Sequence, residues 1–282
     1  MLNIDSPHIN DQVNNCKITF EWNTFRDHCI ENSSDRFKDD FYKRVEHLIG
    51  SCTYIKRIQK GNIFFRARNI GPEKIRIDKN HVAHGYTTIE EAGAPPTKKC
   101  KSGRANMPQE KVLYLAQEEY TAVAEIKPIV TQLINISQFK INSDISVLNL
   151  PASNDEFQSF ENREDSLLIK KLIWEFAKPI NDPKEYLPTQ CISNLIKDFK
   201  NIKYDGIMYA SMCGYGGQNL VLFDPNKADF VANKEEIVRI NNLFYTIVNI
   251  NKLTDKFQPE KSPIPFTQSE LERLKVVISS YK

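Results

Sequence analysis

Apolar residues recur at helical spacing in several parts of the chain. Near the N-terminus they predict one helix, for which Ser33, Ser34 and Asp35 are candidate N-caps. Its apolar face comprises Phe37, Phe41, Val45, Leu48 and Ile49. Further helices are predicted over residues 118–126, 163–178 and 189–200, and after residue 227, where Asn233 and Glu236 form a helix start and 267–270 a capping box. The N-terminal apolar face is expected to pack on the rest of the chain, and a partner-binding face is the alternative.

A strand that carries two arginines is predicted over residues 63–68, with the sequence IFFRAR. Because side chains alternate along a strand, Phe64, Arg66 and Arg68 share one face. If this face lines a cleft, the two arginines are ligands for an anion. If it faces solvent, they indicate no particular function.

The remaining patterns predict a mixed α+β fold. Residues 112–116 (VLYLA) form a short buried strand, and residues 204–223 form a hairpin whose first strand ends near Ser211. Residues 84–108, rich in Gly, Pro and Lys, and the polar residues 141–162 are predicted to be loops. Strands and helices follow one another without a regular βαβ rhythm, which favours α+β over a doubly wound sheet.

Composition and charge exclude several classes of protein. The chain has 282 residues, with 38 Lys and Arg against 36 Asp and Glu, a net charge of +2. This balance argues against a largely disordered chain. It also argues against a strong overall electrostatic attraction to nucleic acid or membrane surfaces. No apolar run is long enough for a membrane helix, and the N-terminus lacks the basic and apolar regions of a secretory signal. The six cysteines contain no CxxC pair, so we expect reduced thiols in a cytoplasmic protein.

Five residues at the ends or borders of predicted elements suggest a binding cleft: Arg66, Arg104, Tyr114, Glu125 and Ser211. Two cations, an aromatic ring, a carboxylate and a hydroxyl suit an anionic substrate that carries a ring. Arginines hold phosphates, and a carboxylate stabilises the positive charge that develops on a sugar as a glycosidic bond breaks. The residues alone leave alternatives open, since Glu125 also fits a solvated helix position and Ser211 a turn.

Other motifs support neither a metal nor a nucleotide loop. His81 and His84 have no third ligand at useful spacing, so no metal site is predicted. Neither a dinucleotide-binding glycine motif in a strand-to-helix context nor a phosphate-binding P-loop motif occurs. Cys213 is expected to be a loop thiol beside the cleft. Three lysines before Arg104, at 98, 99 and 101, either guide an anion or form a solvated loop.

Spaced motifs in the central part of the chain resemble the RES domain family, named for its Arg, Glu and Ser. The family pattern is a GR-x-N loop, a Tyr ten residues after that Arg and a Glu eleven residues further on; the chain places Arg104, Asn106, Tyr114 and Glu125 in this register. The segments YLPTQ (186–190), YDGIMYAS (204–211) and GGQNLVLF (216–223) resemble the family's C-terminal half, in which Ser211 and Asn219 match. IFFRAR resembles its opening strand, with Arg66 as the match and Arg68 as an extra arginine. One departure is Ala105, where the family often has an aromatic residue.

The resemblance implies an ADP-ribosyltransferase-like split β-core around a NAD pocket. Characterised RES proteins are toxins that cleave the nicotinamide–ribose bond of NAD⁺ by hydrolysis or phosphorolysis. The resemblance therefore implies NAD⁺ as a substrate, with no separate cofactor. By this likeness Arg104, Tyr114, Glu125 and Ser211 are catalytic, and Arg66, Arg68, Asn106, Gly217 and Asn219 bind the substrate. The alternatives are a protein mono-ADP-ribosyltransferase and a non-catalytic NAD-binding or interaction module.

The resemblance also divides the chain and implies partners. It predicts a helical N-terminal extension over 1–61, a RES catalytic domain over 62–226 and a C-terminal helical extension over 227–282. Such toxins are typically paired with an Xre-type antitoxin, so this or another inhibitor protein is an expected partner, whereas nucleic acid and membrane are not. The flanking segments are expected to cover the sheet, to form a homo-oligomer contact or to replace part of an antitoxin interface.

Overall fold

A computed structural model describes residues 7–51, 53–150, 163–178, 182–211 and 217–241, together with residues 180, 213 and 243. Side chains are described from Cys16 onward, with a few interior gaps. Gly214, Gly216, the predicted C-terminal capping box and residues 151–162 of the predicted loop lie outside this part of the chain. Within it, no helix has the length and apolar character needed to cross a membrane.

In the described part of the chain the helices are α1 (Pro7–Ile30), α2 (Asp40–Gly50), α3 (Ile89–Ala92), α4 (Glu119–Glu125), α5 (Arg163–Ala177) and α6 (Leu187–Lys197). Four of them lie where the apolar spacing predicts a helix, whereas α1 was not predicted and α3 lies within the loop predicted over residues 84–108. The predicted N-terminal helix is shorter than expected. Ser33 caps a separate 3₁₀ turn over Ser34–Phe37, which leaves the Phe37 side chain half exposed, and α2 then buries the other four apolar residues.

Nine of the eleven strands in the described residues form one sheet. The strands are β1 (Ile55–Ile58), β2 (Ile63–Asn69), β3 (Arg76–Ile77), β4 (Ala83–His84), β5 (Leu113–Ala116), β6 (Leu133–Ile141), β7 (Ile145–Leu150), β8 (Gly206–Ala210), β9 (Gln218–Leu222), β10 (Ala228–Phe230) and β11 (Glu236–Arg239). The sheet runs β1-β7-β8-β9-β5-β2-β6-β10, and β11 also pairs with β6. Only the β7–β8 pair is parallel among these, and β3 and β4 form a separate hairpin. This architecture is the predicted α+β fold.

The sheet is split between β5 and β2. These two strands share a single pair of Cα partners, Phe65 and Ala116. In contrast, β2 pairs with β6 over seven residues and β5 pairs with β9 along its whole length. The two halves of the sheet therefore meet at one pair of residues and diverge on either side of it.

A layer of helices covers one face of the sheet. α1, α2, α5 and α6 bury their apolar residues together against β7, β8 and β9, around Phe25, Phe41, Phe176 and Leu148. α4 covers the same face beside them, where Ala122 packs with Ala67 and Ala116. The other face has its own cluster, formed chiefly by Phe64, Phe139 and aliphatic residues of the strands.

Two parts of the chain differ from the sequence prediction. The helix start predicted at Asn233 and Glu236 is wrong, because Glu236–Arg239 forms β11 and pairs with Leu133–Ile136 of β6. The loop predicted from residue 141 is wrong for its first part, because Ile145–Leu150 is the buried strand β7. Both strands owe their conformation to partners that are distant in the sequence.

The β3–β4 hairpin is tied to the turn before β11 by His84. Its Nε2 lies 3.3 Å from Oδ2 of Asp78, and its Nδ1 lies 3.0 Å from Oε1 of Glu235. The hydrogen bonds to Glu235 and Asp78 raise the pKa of His84 above its usual 6.5. A protonated His84 therefore bridges two carboxylates.

We expect stability to fall as the pH rises through the folded-state pKa of His84. A pKa higher in the folded than in the unfolded protein means that proton binding stabilises the fold, fully at pH values below about 6.5. His84→Gln should remove part of this decline, and the remainder should come from His28, whose pKa is raised by its hydrogen bond to Asp39. Urea unfolding of both proteins between about pH 5.5 and pH 8.5 measures the difference. Parallel pH profiles for wild type and variant would refute this role.

Candidate active site

The carboxylate of Glu125 is the centre of the candidate site. Its Oε1 accepts two hydrogen bonds of 2.6 Å, one from Oγ of Ser211 and one from Nδ2 of Asn219. Ser211 directly follows β8, Asn219 lies in β9, and both are buried. Ser211 lies 86 positions and Asn219 94 positions after Glu125 in the sequence. These three predicted residues thus meet at one carboxylate oxygen.

The local sequence explains why Glu125 ends its helix at this place. The buried residues Thr121 and Ala122 fix α4 against the sheet. Lys127 then adopts a left-handed conformation with φ of 49°, and Pro128 follows, so the helix cannot continue. Glu125 therefore lies in the last turn of α4, where its side chain reaches the start of β9.

Gly217 allows β9 to approach α4 closely. A Cβ atom at this position would lie 1.9 Å from Oγ1 and 2.8 Å from Cβ of Thr121. The Gly217 carbonyl also accepts a 2.8 Å hydrogen bond from the backbone N–H of Ser211. The glycine predicted as a substrate contact thus has a packing role that brings Ser211 and Asn219 within reach of Glu125.

Gly217→Ala should destabilise the fold by about 1–3 kcal/mol, because the new methyl group overlaps Thr121. Thr121→Gly removes the overlapping atoms at a cost of its own, about 1 kcal/mol for a glycine in a helix. We expect the double variant to be less destabilised than the sum of the two single variants, as measured by urea unfolding. Additive free energies would show that the two residues do not meet.

The GR-x-N loop has a fixed shape, which Asn106 and Tyr114 maintain. The Tyr114 hydroxyl donates to Oδ1 of Asn106 at 2.8 Å and accepts from the backbone N–H of Ala105 at 3.0 Å. Nδ2 of Asn106 donates to the carbonyls of Lys101, Met107 and Glu110. Asn106 is buried and its amide is used within the loop, so its predicted contact with substrate stays a prediction beside this structural role.

Gln190 of α6 holds the same loop and was not singled out from the sequence. Its Nε2 donates to Oγ of Ser102 and to the carbonyls of Gly103 and Asn106 at 2.7–2.9 Å. The signal that could have found it is its place in YLPTQ, one of the segments that carry the family resemblance. Gln190 therefore positions the backbone on both sides of Arg104.

The Arg104 side chain reaches the C-terminal end of α5. Its guanidinium donates to the carbonyls of Glu175, Ala177 and Lys178, and it lies 5.9 Å from the centre of the Tyr186 ring. A cation is favoured there, because the last carbonyls of a helix are the negative end of its dipole. This arginine thus supports the fold as well as forming part of the predicted site.

Tyr209 lies close both to the Glu125 cluster and to Tyr114 of the GR-x-N loop network. It faces Asn219 across the β8–β9 pair, and its ring packs 5.9 Å from that of Phe176. Burial raises the pKa of Tyr209 well above its usual value, with further contributions from Tyr114 and Glu125. Tyr209 lies two residues before Ser211, so side-chain alternation places both side chains on the same face. This spacing is the signal by which the sequence could have identified Tyr209.

Arg66 spans the split in the sheet. Its Nη1 donates to the carbonyl of Tyr114 on β5 at 2.8 Å, whereas its buried Nε has no partner. Burial lowers the pKa of Arg66 to about 10, and the neighbouring charge of Arg68 contributes. Within the described residues, no carboxylate forms an ion pair with Arg66. Among these residues it is a half-buried cation without a counter-charge.

Arg68 lies on the same face of β2 as Arg66. Arg66 and Arg68 occupy the face of β2 opposite Ala67, which packs with Ala122 of α4. The Arg68 guanidinium donates to the carbonyl of Glu91 in α3. Among the described residues, neither arginine hydrogen-bonds to Glu125. The structure thus brings Glu125, Ser211, Gly217 and Asn219 together, places Arg104, Asn106 and Tyr114 beside them, and sets Arg66 and Arg68 at the split.

Comparison with known proteins identifies the family. The model of the RES domain family matches residues 75–245, more than half of the chain. The chain therefore belongs to the RES domain family. Glu125, Ser211, Asn219 and the GR-x-N loop lie inside the matched range, and Arg66 and Arg68 lie before it. Neither the curated proteins nor the solved structures contain a match to this chain. The predicted boundaries at 62 and 226 remain predictions.

Proposed function

We propose that this protein is an enzyme that cleaves the nicotinamide–ribose bond of NAD⁺. The observation that carries the proposal is the Glu125 carboxylate, held by two neutral donors, Ser211 and Asn219. Both donors bind Oε1, and among the described residues none donates to Oε2, to which we assign the contact with a ligand. Because the two partners are uncharged, the carboxylate keeps the negative charge that a cationic partner would offset.

A carboxylate in this position suits glycosidic bond cleavage. As the bond between the ribose C1′ and the nicotinamide nitrogen breaks, its electron pair leaves with nicotinamide and positive charge develops on the ribose. A fixed negative charge beside the sugar stabilises this state, and it can orient the water or phosphate that attacks C1′. Ser211 and Asn219 would hold Glu125 or bind the ribose hydroxyls.

The arginines suit the rest of the dinucleotide. Arg66 is a half-buried cation with one carbonyl partner and a buried, unused Nε, and an anion would supply the counter-charge that the described residues lack. We assign to Arg66 and Arg104 the pyrophosphate or, for a phosphorolytic enzyme, the attacking phosphate. Arg68 would add charge at the split, and Tyr114 and Asn106 would shape the wall toward nicotinamide. NAD⁺ is then the substrate, and no resident cofactor is needed.

A time course of NAD⁺ with purified protein, followed by NMR with and without phosphate, tests the proposal. We expect free nicotinamide in both cases, with ADP-ribose as the second product of hydrolysis and its 1″-phosphate as the product of phosphorolysis. Intact NAD⁺ at high protein concentration would overturn it. Label from NAD⁺ on a macromolecule would instead indicate a protein mono-ADP-ribosyltransferase, and binding without turnover a non-catalytic module.

Cleavage of NAD⁺ inside a cell would make this protein a toxin or defence effector. Its expression in bacteria is expected to lower cellular NAD⁺ and arrest growth. An Xre-type or other inhibitor protein that covers the site should relieve the arrest. Normal growth with unchanged NAD⁺, at a protein level that is active in the purified assay, would contradict this role.

A further inference from the structure

A groove on the helical layer holds two cysteines. It encloses about 640 Å³ between the end of α1, the 3₁₀ turn, α2 and α6. Its walls include Arg36, Phe37, Tyr42, Gln190 and both Cys29 and Cys191. The groove is separate from the Glu125 cluster, whose residues do not line it.

The two thiols face the same groove where α1 packs against α6. Cys29 is the penultimate residue of α1, with 5% of its surface exposed, and Cys191 lies in α6 and is partly exposed. Cys191 packs against the hydrophobic cluster that contains Cys29, and both are free thiols. The two cysteines lie far apart in the sequence, which explains why no spacing motif reveals the pair.

Arg36 gives the two thiols different properties. Its guanidinium is positioned by the Ser33 carbonyl at 2.6 Å and by Oδ1 of Asn32 at 3.3 Å. The neighbouring Cys29 side chain and the charge of Arg36 lower the pKa of Cys191. The neighbouring Cys191 side chain and burial raise the pKa of Cys29. A partly exposed thiol next to a cation is the environment of a reactive cysteine, and a buried thiol behind it is the environment of a resolving one.

We propose that Cys29 and Cys191 form an oxidisable pair, in which Cys191 reacts with a peroxide from the groove and Cys29 then closes a disulfide. The Cys191 thiolate attacks one peroxide oxygen and breaks the O–O bond, which gives Cys191 sulfenic acid and hydroxide. The Cys29 sulfur displaces the sulfenic oxygen, and the S–S bond forms as water leaves. Two thiols are oxidised and one peroxide is reduced to two waters, so no other reactant is required.

The disulfide would tie the N-terminal extension to the RES domain. α1 lies before the family-matched range, and α6 lies inside it. Gln190, next to Cys191, holds the backbone around Arg104. The oxidation state of the pair therefore acts on the element that positions the GR-x-N loop.

The test treats the intact reduced protein with stoichiometric hydrogen peroxide, then counts thiols after denaturation and maps peptides by mass spectrometry. We expect titratable thiols to fall from six to four and the peptides of Cys29 and Cys191 to be linked. In Cys29→Ser, dimedone should trap a sulfenic acid at Cys191. In Cys191→Ser, neither linkage nor a dimedone adduct at Cys29 should form.

Matched controls are Cys16→Ser, which changes the exposed cysteine of the same helix, and Cys213→Ser, which changes the thiol near Glu125. Both should form the 29–191 linkage as wild type does. Six remaining thiols, or oxidation that begins at Cys16 or Cys213, would overturn the proposal. Because these measurements require no turnover of NAD⁺, their outcome is independent of the proposed activity.

Discussion

Glu125→Gln is expected to lower the rate of NAD⁺ cleavage by about 10²–10³-fold, the range seen when one group that stabilises transition-state charge is removed. The substitution keeps the shape of the side chain and an oxygen that accepts from Ser211 and Asn219. It removes only the negative charge that faces the ribose. The loss should therefore fall on kcat, with little change in KM. The NMR assay of nicotinamide release measures both.

Glu118→Gln provides the matched control. Glu118 lies at the start of α4, is exposed and forms no capping hydrogen bond with its side chain. The same chemical change there should leave cleavage unchanged. If Glu125→Gln retained full activity, the carboxylate would not be the group that stabilises the ribose cation, and the proposed mechanism would be wrong.

Arg66→Met should abolish most NAD⁺ cleavage, by about 10²-fold, and should leave the protein at least as stable as wild type. A buried cation without a counter-charge destabilises a fold, and an unbranched apolar side chain of similar length fills the same space. The substrate anion, in contrast, loses its buried partner. Urea unfolding and the cleavage assay, performed on the same preparation, measure the two effects, which are expected to have opposite signs.

Arg57→Met is the control for this prediction, because Arg57 lies on the exposed surface of β1. It should change neither stability nor activity. A large loss of stability in Arg66→Met would mean that the hydrogen bond to the Tyr114 carbonyl, rather than a ligand, explains why an arginine is buried in the split.

The sequence predicted local structure where side-chain alternation is strong. IFFRAR and VLYLA became β2 and β5, and the hairpin of β8 and β9 was confirmed. The pattern was weaker for β11, a four-residue segment with two charged ends. Only its pairing with β6, about 100 positions earlier in the chain, makes it a strand. Propensity within so short a segment does not reveal a distant partner.

The candidate site also depends on contacts between distant segments, which the local sequence does not reveal. The resemblance supplied the residue types, among them Glu125, Ser211 and Asn219, but their shared hydrogen bonds depend on how α4 lies against the β8–β9 hairpin. The resemblance assigned Asn106 to substrate binding and Arg104 to catalysis. The structure shows in addition that Asn106 shapes its own loop and that Arg104 caps α5, duties that arise only once the tertiary contacts form.

The pairing of β6 has a consequence for where the chain can be cut. β6 is bonded along one side to β2 and along the other to both β10 and β11, which begin after residue 226. A protein ended at residue 226 would leave one side of this nine-residue strand without hydrogen-bond partners. Such an open edge recruits strands from other molecules. The predicted domain boundary would therefore yield an aggregating fragment, whereas a chain that extends past Arg239 retains its own protection.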